Sequence, residues 1–287
     1  MTKFLAPIWV FSRSESVQSH FQNDGQSPVL LNRAGMWSLV LLVVSIVFLL
    51  IFRSTDQIDL FVSELFFAEA DCVTLVEGAR CGKFPTRYHP DWQFAREIGH
   101  NLPPILMAAT SLHLSWLLMF KANKTLHQLY PPLIALMSGL AGPLLAVNII
   151  LKEFWGRPRP SQTSFFDGEN PYVPPGDISS YCESNCSFVS GEAAAAFWML
   201  ALMFYFKGRA RIWFVVAILP VASFIAMLRV AFGRHYISDV VMAALLMMLI
   251  IVLSVWISQT LRGRNWIERL RQFSNKNAFN REKPKNS

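Results

Sequence analysis

Charge is what this chain has least of. Only 16% of its 287 residues are Asp, Glu, Lys or Arg, while 53% are hydrophobic. A soluble domain carries about 25% charged residues, so the balance excludes an ordinary soluble fold. Alternation is lacking as well. The apolar residues lie in continuous runs, which argues against barrel strands. No small-residue cleavage site follows the first run, which is long and begins deep in the chain, so a cleavable signal peptide is excluded. The cysteine-bearing loops contain no paired Cys/His spacing of the usual zinc-binding kind. There is no internal repeat. The net charge of +7 does not gather on a folded soluble surface, which argues against nucleic acid as a partner.

What is present is a series of six apolar runs, at about 36–52, 104–120, 132–151, 188–206, 212–232 and 237–258. Runs of roughly 18 or more residues predict transmembrane helices. The fold class expected is therefore all-α: a polytopic membrane protein with six transmembrane helices. With the N-terminus in the cytoplasm, sixteen of the 26 Lys and Arg fall on the cytoplasmic side, eight of them in the tail after Ser258. Excess Lys and Arg on that side is the usual asymmetry.

Residues 1–34 read as a polar cytoplasmic segment, 35–258 as the membrane domain, and 259–287 as a basic cytoplasmic tail. In the tail, Trp266, Ile267 and Leu270 sit among Arg262, Arg264, Arg269 and Arg271, which suits a short helix on an anionic leaflet. Residues 53–103 and 152–187 become external loops, with 92–100 suited to the membrane interface. All four cysteines fall in these two loops: Cys72 and Cys81 in one, Cys182 and Cys186 in the other. Even numbers of loop cysteines fit an oxidising compartment. Cys72–Cys81 with Cys182–Cys186 is the simplest of three pairings, and four unpaired thiols are the bland alternative.

Three polar clusters meet at the same expected membrane face. Lys152 is followed after six residues by Arg159 and Pro160. Phe188-Val189-Ser190-Gly191-Glu192 opens the fourth run. Arg229, His235 and Asp239 follow one another across the turn into the sixth. Arg forks match phosphate oxygens bidentately, and Lys supplies a point charge. Ser190 and Gly191 at a helix start favour an anion. His235 and Asp239 are four apart, so on one helix they share a face. A carboxylate on one imidazole nitrogen fixes the tautomer and frees the other nitrogen to attack. Each cluster alone reads as easily as snorkelling cations or a common helix start. Jointly they describe a phosphate clamp beside a nucleophile, and phosphoryl transfer needs mainly positioning and charge neutralisation.

These spacings resemble the type 2 phosphatidic acid phosphatase superfamily, which also includes vanadium haloperoxidases. Lys152, Arg159 and Pro160 match its first motif. Ser190 and Gly191 match the middle of the second. Arg229, His235 and Asp239 match the third. The resemblance implies a six-helix bundle, a phosphohistidine formed on His235 and oriented by Asp239, and phosphate binding by Lys152, Arg159, Ser190, Gly191 and Arg229. It implies no metal and no cofactor. Val189 and Leu228 depart from the pattern without chemical consequence. Glu192 is the larger departure, since it stands where the family has a histidine that protonates the leaving group. Glu192 can take that role only as a carboxylic acid; ionised, it becomes a salt-bridge partner.

The Phe-Val-Ser-Gly form of the second motif, the modest size and the external cysteines look most like the lipid A phosphatase branch, particularly its 4′-phosphatases. The expected activity is thus removal of phosphate from a lipid on the periplasmic face of a bacterial inner membrane, with phosphorylated and other membrane lipids as the partners. Undecaprenyl diphosphate and the lipid A 1-phosphate are alternative substrates. Phosphatidic acid and phosphatidylglycerophosphate are weaker ones. A non-catalytic lipid-phosphate binder or an acceptor-dependent phosphotransferase is the alternative of another class. Among the remaining polar residues, His113 with Ser111 and Ser115 reads as a helix–helix contact, and Asn148 as support for the site or packing. Arg157 and Arg234 read as contacts to a head group or to lipid phosphates. His89 and His100 have no partner legible in the sequence.

Overall fold

The computed structural model describes residues 33–55, 57–71, 80–121 and 126–263, without the side chains of 126–127 and 261–263. The expected basic tail helix, most of the N-terminal segment and Cys72 lie outside the described residues. Most of the described residues are helical. Helix α1 is Arg33–Ser54, and a short α2, Gln57–Glu64, follows it. A two-stranded antiparallel ribbon, β1 (Ala68–Glu69) with β2 (Gly82–Lys83), leads to α3, Pro90–Phe120. Helix α4 starts as Leu126–Gly139, winds on as a π-helical stretch Leu140–Leu151 and closes with Lys152–Phe154. Helix α5 is Gly191–Trp198, continued by a 3-10 stretch Met199–Tyr205. Helices α6 (Gly208–Ala231) and α7 (Ile237–Gly263) complete the bundle.

Five of these helices are long and apolar enough to cross a membrane, and Gly191–Tyr205 is a shorter apolar helix at the place of the expected fourth span. Its 3-10 stretch rises further per residue than an α-helix, so its fifteen residues still reach about 26 Å, close to the roughly 30 Å of a hydrocarbon core. It is the centre of the bundle, touching α4, α6 and α7, while α1 packs along α7. The alanine run explains the closeness: Ala193, Ala194 and Ala196 are fully buried, and small residues let helix backbones approach. Trp198 donates from Nε1 to the Ala135 carbonyl at 2.8 Å, locking α5 to α4. Outside, large apolar side chains such as Leu112 (72% exposed), Phe120 (71%) and Trp213 (70%) face outwards. A soluble monomer does not expose apolar surface on this scale; a helix bundle in lipid does. The protein is a multi-pass membrane protein.

The helix that carries the second apolar run starts ahead of the run itself. Helix α3 begins at Pro90, and Pro103 and Pro104 lie inside it. Residues 92–100, expected as an interfacial stretch of loop, are therefore its first turns and carry Arg96 and His100 to the bundle. His113, midway along α3, has its Nδ1 3.2 Å from the Tyr205 hydroxyl on α5, a helix–helix contact as its setting suggested.

Candidate active site

Lys152 opens the last turn of α4, which ends at Phe154, and the chain then turns sharply at Gly156, whose φ is +67°. A Cβ there would lie 1.7 Å from the Ser179 carbonyl oxygen, so the turn requires glycine. This turn sends Arg157 inward and brings Arg159 alongside Lys152. The returning loop is closed by a disulfide between Cys182 and Cys186. Inside that small ring, Asn185 adopts a left-handed conformation. Its carbonyl accepts from Arg159 Nη2 at 2.6 Å, and its side-chain oxygen accepts from Lys152 Nζ at 3.3 Å. One residue in the disulfide ring thus places two cations of the first cluster. Cys81 is also disulfide-bonded.

Ser190 caps α5, its hydroxyl accepting from the Ala193 N–H at 3.4 Å. The first backbone bond of the helix is Ala194 N–H to the Ser190 carbonyl at 2.9 Å. The N–H groups of Gly191 and Glu192 therefore stand ahead of the ladder, available to an anion. Gly191 is needed for proximity: a Cβ would lie 2.7 Å from Asn148 Oδ1 and 2.9 Å from Lys152 Nζ. Asn148 accordingly stands beside the site.

Arg229, in the last turn of α6, is 5% exposed. Its carbonyl accepts from the N–H groups of Arg234 (3.1 Å) and His235 (3.3 Å), folding the α6–α7 turn back on itself. Arg159, 8% exposed, is the second buried guanidinium of the clamp. Burial, with Arg234 and Arg87 nearby, lowers it to about 10, still charged at neutral pH.

His235 is 2% exposed. Its Nδ1 lies 2.7 Å from the Ser187 carbonyl. A carbonyl can only accept, so Nδ1 carries the proton and Nε2 keeps its lone pair. Burial, reinforced by the Arg229 charge and opposed by Asp239, lowers this imidazole to about 4. The ring is therefore neutral at physiological pH.

The expected link between His235 and Asp239 is corrected in its geometry. His235 precedes α7 and does not share a helical face with Asp239. The Asp239 Oδ2 is 3.8 Å from His235 Nδ1, beyond a hydrogen bond. The carboxylate is instead spent on three other donors: Arg157 Nη1 and Ser187 Oγ, each at 2.5 Å, and the Tyr236 N–H at 2.9 Å. The last is the backward half of a capping box. Asp239 thus builds the loop that holds His235, and its charge stands just behind the ring.

Arg157 is corrected as well. It meets neither head group nor lipid, being completely buried. Besides Asp239 it pairs with Asp59 of α2 at 2.8 Å, and its guanidinium lies over the Tyr236 ring at 4.2 Å. Burial opposes its charge, but Asp239 and Asp59 hold it above its ordinary value. Asp59 in turn accepts from the Ser238 N–H (2.9 Å) and hydroxyl (2.6 Å). The sequence offered no sign of Asp59, 179 positions from Ser238.

Glu192, the departure in the second cluster, meets three side chains through Oε1: Arg96 Nη2 at 2.8 Å, Arg229 Nη1 at 3.4 Å and His100 Nδ1 at 3.8 Å. Guanidinium groups only donate, so this oxygen serves as an acceptor. Arg96 was the other residue missed, and for His100 the sequence showed no partner. Their spacing of four along a helix, on one face, was the signal available.

The first two clusters flank one loop and two apolar helices separate the second from the third, yet Ser187–His235, Glu192–Arg229 and Arg157–Asp239 contacts join all three. Among the described residues no group of three or more His, Cys, Asp or Glu side chains is arranged to hold a metal ion. Lys152, Arg159 and Arg229 bring positive charge to the site, with Arg96 and Arg234 close by.

A helical membrane bundle with a buried histidine among phosphate-matching cations defines a class, and comparison with known proteins gives it a name. The chain belongs to the PAP2 superfamily, whose pattern it matches over residues 132–262. It is 38% identical over 202 residues to a lipid A 4′-phosphatase of Rhizobium etli, an alignment covering 67% of this chain and 76% of the relative. It is 36% identical over 200 residues to one from Rhizobium leguminosarum, covering 68% and 84%. A third, from Francisella tularensis subsp. novicida, is 36% identical over 125 residues, 43% of this chain and 54% of that one. The fold is similar to the crystal structure of a transmembrane PAP2-type phosphatidylglycerolphosphate phosphatase from Bacillus subtilis, with a TM-score of 0.50, 17% identity, and 78% of this chain and 96% of that chain covered. The protein is a membrane lipid phosphatase.

Proposed function

We propose that the protein removes the 4′-phosphate of lipid A at the periplasmic face of the inner membrane, through a phosphohistidine on His235. The observation that carries the chemistry is the hydrogen bond from His235 Nδ1 to the Ser187 carbonyl. It leaves Nε2 as the nucleophile, in a ring neutral at working pH. The substrate is inferred from the relatives' names. The periplasmic face is inferred from the Cys182–Cys186 disulfide in the loop that builds the clamp, since disulfides persist in oxidising compartments, and from the Lys and Arg distribution.

Lys152, Arg159, Arg229 and the first N–H groups of α5 receive the phosphoryl oxygens. His235 Nε2 attacks phosphorus in line, and the P–O bond to the sugar breaks with its electron pair leaving on oxygen. The imidazolium that forms is supported by the Asp239 charge behind it. Water then attacks the phosphohistidine and regenerates the ring. Glu192 serves this scheme by bridging Arg229 to Arg96.

The test is phosphate release by purified protein in detergent, with chelator, from bis-phosphorylated lipid A, undecaprenyl diphosphate and phosphatidic acid. Release from lipid A that leaves the 1-phosphate in place, and is abolished in His235→Ala, is expected. Preference for another lipid contradicts the substrate, and turnover by the variant contradicts the nucleophile.

A further inference from the structure

Breaking a phosphate bond to a sugar alkoxide calls for a proton at the leaving oxygen; the inference that follows rests on the phosphatase reading above. His235 cannot supply that proton, because its Nε2 is bonding to phosphorus and its Nδ1–H is held by Ser187. Glu192 is engaged as an acceptor through Oε1, and its Oε2 is buried without a hydrogen-bond partner among the described residues.

The next titratable group outward is His100. It lies four residues from Arg96 on α3, and both side chains converge on Glu192 Oε1. Gly99, between them, packs so closely on Ile225 of α6 that a Cβ would lie 2.8 Å from it. Helix α3 is thereby fixed against α6, the helix that carries Arg229. The His100 side chain is 56% exposed, against 3% for His235. The His100 Nδ1 lies 3.8 Å from Glu192 Oε1, near enough for charge attraction but beyond a direct hydrogen bond. Of the other described histidines outside the nucleophile, His89 stands by Asp91 at 3.7 Å and His113 contacts Tyr205 within the bundle.

We propose that His100 is the general acid of this enzyme, supplied by α3 beside Glu192. As the bond from His235 Nε2 to phosphorus forms and the P–O bond breaks, the His100 imidazolium gives its proton to the departing oxygen. Neutral His100 then takes a proton from the water that attacks the phosphohistidine, which restores the starting state.

Leaving-group dependence tests this. p-Nitrophenolate departs without a proton; a sugar alkoxide does not. His100→Gln is expected to lose about 100- to 1,000-fold in kcat/KM on lipid A but less than about tenfold on p-nitrophenyl phosphate. Position 100 is more than half exposed, and an unchanged melting temperature confirms that the variant folds. Equal losses on both substrates, or none, overturn the proposal. So does a selective loss in Glu192→Gln with His100→Gln behaving as wild type, which would make Glu192 the donor. If the wild type hydrolyses neither substrate, the phosphatase reading fails and His100 loses its role with it.

Discussion

The His235 imidazole donates to the Ser187 carbonyl across 2.7 Å, and the Ser187 hydroxyl donates to Asp239. One serine thus connects nucleophile and carboxylate that do not bond each other directly. It belongs to the segment between the disulfide ring and α5, so the second cluster orients the third.

The depressed His235 gives a pH prediction. Its folded value of about 4 lies below the 6.5 of an unfolded histidine, so the unfolded chain binds the extra proton between these limits. The stability this residue contributes is complete above about pH 6.5 and is lost as pH falls towards about 4. NMR of histidine-labelled protein, with the signal assigned by His235→Ala, should show a titration midpoint near 4. A midpoint at or above 6.5 contradicts the buried neutral ring.

Arg157 should behave as a structural cation. Arg157→Met leaves Asp59 and Asp239 buried and facing each other without their shared partner. Breaking a buried pair this way costs roughly 3–5 kcal/mol, so a large fall in melting temperature is expected along with loss of activity. An Arg157→Met variant of wild-type stability with a raised KM would instead place Arg157 against substrate.

Gly191→Ala separates the clamp from the fold. The new Cβ meets the far ends of Asn148 and Lys152, which can swing aside at little cost to packing. Stability should change by less than about 1 kcal/mol, while the displaced Lys152 raises KM about tenfold, as for the loss of one charge-assisted hydrogen bond. Steady-state kinetics beside thermal melts decide. Unchanged KM would remove Lys152 from phosphate binding.

Opening the Cys182–Cys186 ring should loosen Asn185 and with it both Lys152 and Arg159. Closing so short a ring stabilises by about 2 kcal/mol on loop entropy alone. Cys182→Ser with Cys186→Ser should therefore melt earlier and bind substrate more weakly. A variant with lower melting temperature but native KM would show that the ring does not position the clamp.

Much of this architecture was legible because lipid imposes continuous apolar runs, and helices are the structure such runs can adopt. The fourth run was legible as apolar but not as the short, 3-10-extended centre of the bundle, which follows from its alanines packing on every side. The start of α3 was hidden because Pro103 and Pro104 read as a helix boundary. The clamp residues were legible from fixed spacings. Asp59 and the burial of Arg157 were not, because each depends on pairing between charges far apart in sequence, and Arg96 showed only as a neighbour of His100 at helical spacing. The His235–Asp239 spacing suggested a direct contact, and failed because His235 stands outside the helix that carries Asp239.

The most direct test of the central claim is chemical trapping of the intermediate. Protein mixed with lipid A carrying a radiolabelled 4′-phosphate is quenched within one turnover and digested. Label on the His235 peptide, stable to base, labile to acid and absent from His235→Asn, is the result predicted. Release of labelled phosphate at the wild-type rate with no label ever on His235 would contradict the account.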